Sequence, residues 1–227
     1  TLLQNGAQAL TPRAIDLISR LCDAGIHFVS ASGRQYDNQK RVFAPLKDRI
    51  SFIAENGSIC MHQGKVISRA TINDDLAARI LKEIKKQDHF EIVVSREDTC
   101  FIENNVPEFV NHIVNVMHNT TQIVDDITKV DGPILKIAIC NMSDSTHIVD
   151  KYLKHLQGTA LQNLMDLFQV KPEECVAFGD QYNDIEMLQL AGTSYAMSNA
   201  APGISYYSTY VTDSVEDVLE DILAQVR

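Results

Sequence analysis

No apolar run in this 227-residue chain approaches the length of a bilayer span, and no basic-then-apolar start resembles a signal peptide. A cytoplasmic chain with no membrane partner is expected. Basic residues are outnumbered: 20 Lys and Arg stand against 30 Asp and Glu, for a net charge of −10. Without a basic block to track a phosphate backbone, the balance argues against nucleic acid as a partner. A small phosphate ester remains compatible, because one cation can invert the local potential. The five cysteines (22, 60, 100, 140 and 175) are odd in number, scattered, and never spaced C-x-x-C. Most sit in apolar runs, which reads as reduced core thiols rather than disulfides or a zinc site. The seven histidines form no i,i+4 pair with an acidic neighbour; His27, His112 and His147 read as packed or surface residues. Internal repeats and low-complexity segments are absent. What is present, 45% apolar and 22% charged residues, suits one large globular domain or two small ones.

Thr11-Pro12 reads as an N-cap with proline at the first helical position, and Ala14, Ile15, Ile18, Leu21 and Cys22 trace a helical face that Gly25 closes. Short buried strands are expected at 26–30 and 50–54, the first running into Ala-Ser-Gly-Arg and the second into Glu55-Asn56-Gly57. Strands alternating with helices of this length indicate βαβ units and a parallel sheet. From about Ile72 the grammar changes. Asn73 caps a helix with an apolar face of Leu76, Ile80 and Ile84; strands follow at 90–94 and 99–102, then a helix through Phe109, Ile113 and Val116. Further strands are expected at 122–124 and 134–140, with a helix from about Ser145 to Gln169. Parallel-sheet grammar returns with strands at 174–178 and 194–196, and a last helix carries Val215, Val218, Leu219 and Ile222 on one side. Its acids, Asp213, Glu216, Asp217, Glu220 and Asp221, read as a solvated face. The chain thus reads as an α/β core split by an inserted α+β unit.

Residues 175–184, Cys-Val-Ala-Phe-Gly-Asp-Gln-Tyr-Asn-Asp, are the most informative stretch. An apolar strand ends in Gly179-Asp180, and a helix starts at once with Asn183 and Asp184. A carboxylate at a strand end beside such a helix start can hold a hard cation against a phosphate, since Mg²⁺ prefers oxygen ligands and uses one or two carboxylates. Taken alone, the stretch is equally a turn that uses Gly, Asp and Asn for geometry. Ser32-Gly33-Arg34 alone reads as a turn, and Asn56-Gly57 is the commonest tight-turn dipeptide. Their conjunction and order carry the inference. If the strands are parallel neighbours, all three loops emerge at one sheet edge. There Ser32 offers a hydroxyl, Gly33 a close backbone N–H, Asn183 an amide donor and Asp180 a metal ligand.

At these residues the chain resembles the haloacid dehalogenase-like hydrolase superfamily, specifically its Cof-type sugar-phosphatase branch with a C2B cap. That pattern is a strand ending in Thr/Ser-Gly-Arg, then Asn-Gly, a cap insertion, and Gly-Asp-x-x-Asn-Asp followed by Met-Leu. Here stand Ser32-Gly33-Arg34, Asn56-Gly57, Gly179-Asp180-Gln-Tyr-Asn183-Asp184 with Met187-Leu188, and a similar Ala196-Met197-Ser198-Asn199-Ala200 downstream. The resemblance spans essentially the whole chain and departs from the pattern in two places. The family's Asp-x-Asp-Gly-Thr-Leu motif, which supplies the nucleophile and the acid/base aspartate, is represented only by Thr1-Leu2. The family's phosphate-binding lysine has no counterpart before Gly158-Thr159-Ala160-Leu161. At the same two places the first helix lacks a preceding strand and the 145–169 helix would run uncapped through Gly158. The expectation is that the intact polypeptide carries both aspartates upstream of Thr1 and a longer cap-to-core connection; a genuine deletion would leave an inactive protein.

The resemblance implies a Rossmannoid parallel-sheet core at 1–71 and 158–227 with an α/β cap at 72–157. It implies Mg²⁺-dependent hydrolysis of small phosphate monoesters, sugar phosphates or similar metabolites, through an aspartyl-phosphate. Ser32, Gly33 and Asn183 would bind phosphate and Asp180 the metal. Asp184 would serve as a further ligand or as an acceptor that orients the site, and Arg34 would brace its loop. A phosphomutase of the same superfamily and an inactive binding or regulatory homologue are the alternatives. Specificity would reside in the cap, with Arg96, Glu97 and Asp98 either contacting substrate or forming a solvated hairpin turn.

Overall fold

Thr11 caps the first helix: its Oγ1 accepts from the Ala14 amide at 3.0 Å, and Pro12 opens α1 (Pro12–Asp23). The computed structural model describes residues 1–3, 7–87, 90–141 and 157–226. α1 buries Ala14, Leu17, Ile18 and Leu21, while Ile15 and Cys22 lie half-buried beside that face. Gly25 ends it at φ +82°, where a side chain would be strained. β1 (Val29–Ala31) leads into α2 (Tyr36–Val42), and β2 (Ser51–Ala54) returns parallel to β1 with Ser30 opposite Phe52.

The segment after Gly57 departs from the sequence reading, which placed no element there. It forms an antiparallel hairpin, β3 (Ile59–His62) and β4 (Lys65–Arg69), which extends the sheet in the order β1-β2-β3-β4. Gln63 and Gly64 turn it with φ of 46° and 74°, the paired positive values a tight hairpin turn demands.

Asn73 caps α3 (Asp74–Ile84), its side chain accepting from the Leu76 amide at 3.2 Å. The buried positions are Ala77 and Leu81, with Ile80 and Ile84 half-buried and Leu76 exposed. The expected face is therefore rotated by one position, since Ala77, Ile80, Leu81 and Ile84 share the i, i+3, i+4, i+7 stripe and Leu76 does not. β5 (Phe90–Ser95), β6 (Cys100–Ile102) and α4 (Pro107–Asn111) follow. α4 continues as a π turn, His112–Val116, with the Met117 amide bonded five residues back to His112 O at 2.8 Å. That wider winding swings Val116 out to solvent while Phe109 and Ile113 stay buried, so the expected third face residue is lost.

β7 (Thr121–Ile123) and β8 (Lys136–Asn141) complete a second sheet in the order β7-β6-β5-β8, with β5 antiparallel to both neighbours and β6 parallel to β7. Two apolar clusters of its own, one around Ile92, Val94 and Ile127 and one around Ile102 and Phe109, serve this unit.

Of the expected helix from Ser145 to Gln169, residues 157–168 form α5 (Gln157–Phe168) and Gln169 leaves it at φ 56°; residues 145–156, including His147, lie outside the described residues. β9 (Val176–Gly179), α6 (Ile185–Leu190), β10 (Thr193–Met197) and β11 (Tyr210–Thr212) build a parallel three-stranded sheet, and α7 (Val215–Gln225) packs back on α1. On α7, Asp217 and Glu220 pair with Arg13 of α1 at 2.7 and 2.5 Å. The architecture is α/β, a parallel-sheet core carrying an inserted α+β unit. All five cysteines are free thiols; Cys60 and Cys100 are buried and the others half-buried. No helix among the described residues is long and apolar enough to cross a membrane.

Candidate active site

Each of the three loops singled out in the sequence leaves the carboxyl end of a parallel strand: Ser32-Gly33-Arg34 after β1, Glu55-Asn56-Gly57 after β2, and residues 180–184 after β9. The first two are laced by backbone. Ser32 N donates to Ile53 O at 2.9 Å, Asn56 N to Ser32 O at 3.2 Å and Glu55 N to Arg34 O at 3.1 Å. This lacing holds Glu55 and Asn56 at φ 51° and 57°, a left-handed conformation uncommon outside glycine. The Arg34 guanidinium turns to Asn38 at 3.1 Å and Gln8 at 3.5 Å, bracing the loop from α2.

Asn56 joins the first loop to the third. A Cβ on Gly33 would lie 2.5 Å from Asn56 Oδ1, so only glycine admits this approach, and the same oxygen accepts from Asn183 Nδ2 at 3.4 Å. Ser32 Oγ accepts from the Arg34 amide at 3.2 Å. Ser32, Gly33 and Asn183 are thus brought into one neighbourhood through a residue that the sequence offered only as a turn former.

The two acidic residues differ. Asp180 keeps a side chain 26% exposed, with the Thr1 hydroxyl donating to its Oδ1. Asp184 is buried, and its Oδ2 accepts from the amides of Asp180 at 2.8 Å and Gln181 at 3.0 Å. Burial pushes the Asp184 carboxyl up, with the Asp180 charge adding to it; the amides of Gln181 and Asp180 oppose. Asp184 commits one oxygen to folding the turn that presents Asp180.

β9 pairs with neither β1 nor β2 among the described residues; the strands belong to two sheets, whose edge strands β1 and β9 line a common cavity of about 690 Å³. Apolar side chains such as Val29, Ala31, Ala177 and Phe178 line it, and Ser32, Asp180 and Asp184 line it as well.

Two functional candidates escaped the sequence reading. Glu55 is buried behind the first loop, and Lys136, at the start of β8, forms an ion pair with it and donates to Gly33 O at 2.9 Å. The visible signal was a lone lysine in the apolar run Ile134-Leu135-Lys136-Ile137, since buried charges are rare unless paired. Of the residues considered for cap specificity, Arg96 packs over Phe101 and against Gly132, Glu97 pairs with Arg69 of β4, and Asp98 is exposed.

The chain thus combines two sheets of parallel strands meeting at β1 and β9, these loops at the strands' carboxyl ends, and an inserted α+β unit. A family model described as haloacid dehalogenase-like hydrolase matches residues 1–158 and 156–220, and the chain belongs to that family. It is 25% identical over 228 residues to the 5-amino-6-(5-phospho-D-ribitylamino)uracil phosphatase YbjI of Escherichia coli, covering 88% of this chain and 84% of that one. A crystal structure of a protein from Eubacterium rectale is 27% identical with a TM-score of 0.83, covering 98% of this chain and 95% of the other. The subclass IIB sugar phosphatase BT4131 shares the fold at a TM-score of 0.80 and 18% identity, covering 100% and 96% of the two chains. The chain is a phosphatase of this haloacid dehalogenase-like family.

Proposed function

We propose that this chain hydrolyses small phosphate monoesters, sugar phosphates among them, in a Mg²⁺-dependent reaction through an aspartyl-phosphate. The observation that carries the reading is the meeting of Ser32, Gly33 and Asn183 around Asn56, with Asp180 opening the same loop as Asn183. Residues 1–71 and 158–227 would form the core and 72–157 the cap.

The residues present fit the metal. Asp180 offers a partly exposed carboxylate, and Asp184 adds a second carboxylate in the same turn. Mg²⁺ takes oxygen ligands, one or two of them protein carboxylates. Held by Asp180, it would supply positive charge against the transferring phosphoryl oxygens. Asp184 would orient the Asp180 turn.

The nucleophile is assigned to an aspartate on an extended segment preceding Thr1, seated between β1 and β9. Support comes from the cavity there, whose walls are two strand edges and apolar side chains, with Ser32 and Asp180 lining it too. A carboxylate oxygen bonds to phosphorus as the ester P–O bond breaks, and the leaving alkoxide takes a proton from the second aspartate of the motif. Water then attacks phosphorus, returning a proton to the second aspartate, as inorganic phosphate leaves and the carboxylate is restored. Through both steps the Ser32 hydroxyl, the Gly33 amide and the Asn183 amide hold the phosphoryl oxygens and stabilise their charge.

The test is phosphate release by the full-length polypeptide from a panel of sugar phosphates and an aryl phosphate, with Mg²⁺ and with a chelator. Release that the chelator abolishes is expected. Phosphate returned to a sugar bisphosphate would make the chain a mutase, and no release from any ester would make it a binding protein.

A further inference from the structure

We propose that Lys136 is a positioning residue for the Ser32-Gly33-Arg34 loop, acting from the inserted unit without touching substrate. The inference rests on the phosphate-binding reading of Ser32 given above. Lys136 opens β8, and the two residues before it belong to different cores. Ile134 packs in the cluster of its own sheet, while Leu135, 3% exposed, packs in the cluster of α1, β2 and α7. The Leu135 amide donates to Ser95 O at 2.8 Å, and Lys136 stands in register opposite Ser95 on β5. The lysine backbone is therefore held from both units.

Its ammonium spans to the loop, donating to Gly33 O at 2.9 Å and pairing with Glu55. Glu55 is 2% exposed, and Lys136 is the one cation at ion-pair distance from it among the described residues. Each charge thus fixes the other. Because a peptide is planar and trans, turning the Gly33 carbonyl toward Lys136 aims the N–H of the same peptide, on Arg34, the opposite way. There it donates to Ser32 Oγ at 3.2 Å. With that oxygen accepting from the backbone, the Ser32 proton is left to donate outward. The chain of contacts runs from Lys136 through one peptide plane to the hydroxyl that would meet a phosphate oxygen. Lys136 itself is committed to Gly33 and Glu55, which separates its role from that of a phosphate-binding cation.

The test is a double-mutant cycle in the full-length polypeptide, read as KM for an aryl phosphate and competitive inhibition by inorganic phosphate. Lys136→Met alone strands the buried Glu55 charge, so it is combined with Glu55→Gln, which removes the charge but not the lost donor to Gly33. The pair should weaken phosphate inhibition roughly tenfold, the scale of one lost hydrogen bond to a charged group. Ser32→Ala should cost roughly tenfold in the wild-type background and under about twofold in the paired background, because contacting groups are non-additive. Equal Ser32→Ala effects in both backgrounds would overturn the positioning role. If the charge-free pair fails to fold, Lys136→Arg keeps the cation but relocates its donors, and the same coupling is read there with the same two outcomes. Wild-type protein that neither turns over the ester nor responds to phosphate would instead overturn the underlying phosphatase reading.

Discussion

Gly179 and Asp184 lie in such close contact that a Cβ on residue 179 would sit 2.6 Å from Asp184 Cβ and 3.1 Å from its Oδ2. Gly179→Ala must therefore push the buried carboxylate off the amides of Asp180 and Gln181. Overpacking of this kind costs about 1–3 kcal/mol. At about 2–4 °C per kcal/mol for a chain of this size, a melting midpoint lowered by several degrees is expected. Phosphatase activity should fall with it, as the Asp180 turn loses its anchor. An unchanged midpoint by differential scanning calorimetry would mean that the strand end relaxes freely.

Asp180→Asn should leave the fold intact and remove metal-dependent turnover. Its side chain is 26% exposed and adds little to any core, whereas its charge is what a cation would use. A loss of at least about a hundredfold in kcat, near 2.7 kcal/mol of barrier, is expected with a circular dichroism melt within a degree or two of wild type. Full turnover by the variant would remove Asp180 from the metal site.

Burial pushes the Cys60 thiol up to about 12, with no opposing partner. At pH 8 only about one molecule in ten thousand would carry the reactive thiolate. Iodoacetamide should leave Cys60 unmodified in the folded protein and label it once denaturant is added, as read by peptide mass spectrometry. Rapid labelling of the native state would place Cys60 outside the core between β2 and α5.

His62 is held below its ordinary value, first by burial and then by the nearby His27. The neutral ring, 2.9 Å from Ser51 Oγ and edge-on to Phe168, is the form the fold favours. Its contribution to stability is full above the unfolded value of about 6.5 and declines as pH falls toward the folded value, where the unfolded chain binds the proton more readily. Urea unfolding midpoints should drop from pH 7.5 to pH 5.5, and His62→Gln should reduce that slope. A slope unaffected by the substitution would assign the acid loss to other groups.

The helices and strands were legible where their causes are local. Thr11-Pro12 and Asn73 cap helices as their side-chain chemistry dictates, and the apolar runs before Ser32, Glu55 and Gly179 became strands because little else buries such short runs. The hairpin of β3 and β4 was not legible: its alternation is weak, with Lys65 and Val66 exposed, and Gln63 takes a positive φ that its side chain does not advertise. The faces of α3 and α4 were misjudged by one position each, in α4 because a π turn changes the period and in α3 because packing chose Ala77 over the larger Leu76.

The sequence by itself determined which residue types stand at the ends of the strands, and so the chemistry of the candidate site: a hydroxyl, a glycine backbone, an amide and a carboxylate in fixed order. That order survives folding because each loop is tied to its own strand. Only the tertiary structure decided how the groups meet. Asn56 bridges Gly33 to Asn183, β1 and β9 part around a cavity, and Lys136 reaches Gly33 across 103 residues of chain to neutralise Glu55. Side-chain periodicity and caps report only the nearest turn or two of backbone. A buried charge is offset by whichever opposite charge the packed chain brings beside it, and that partner is a property of the packing.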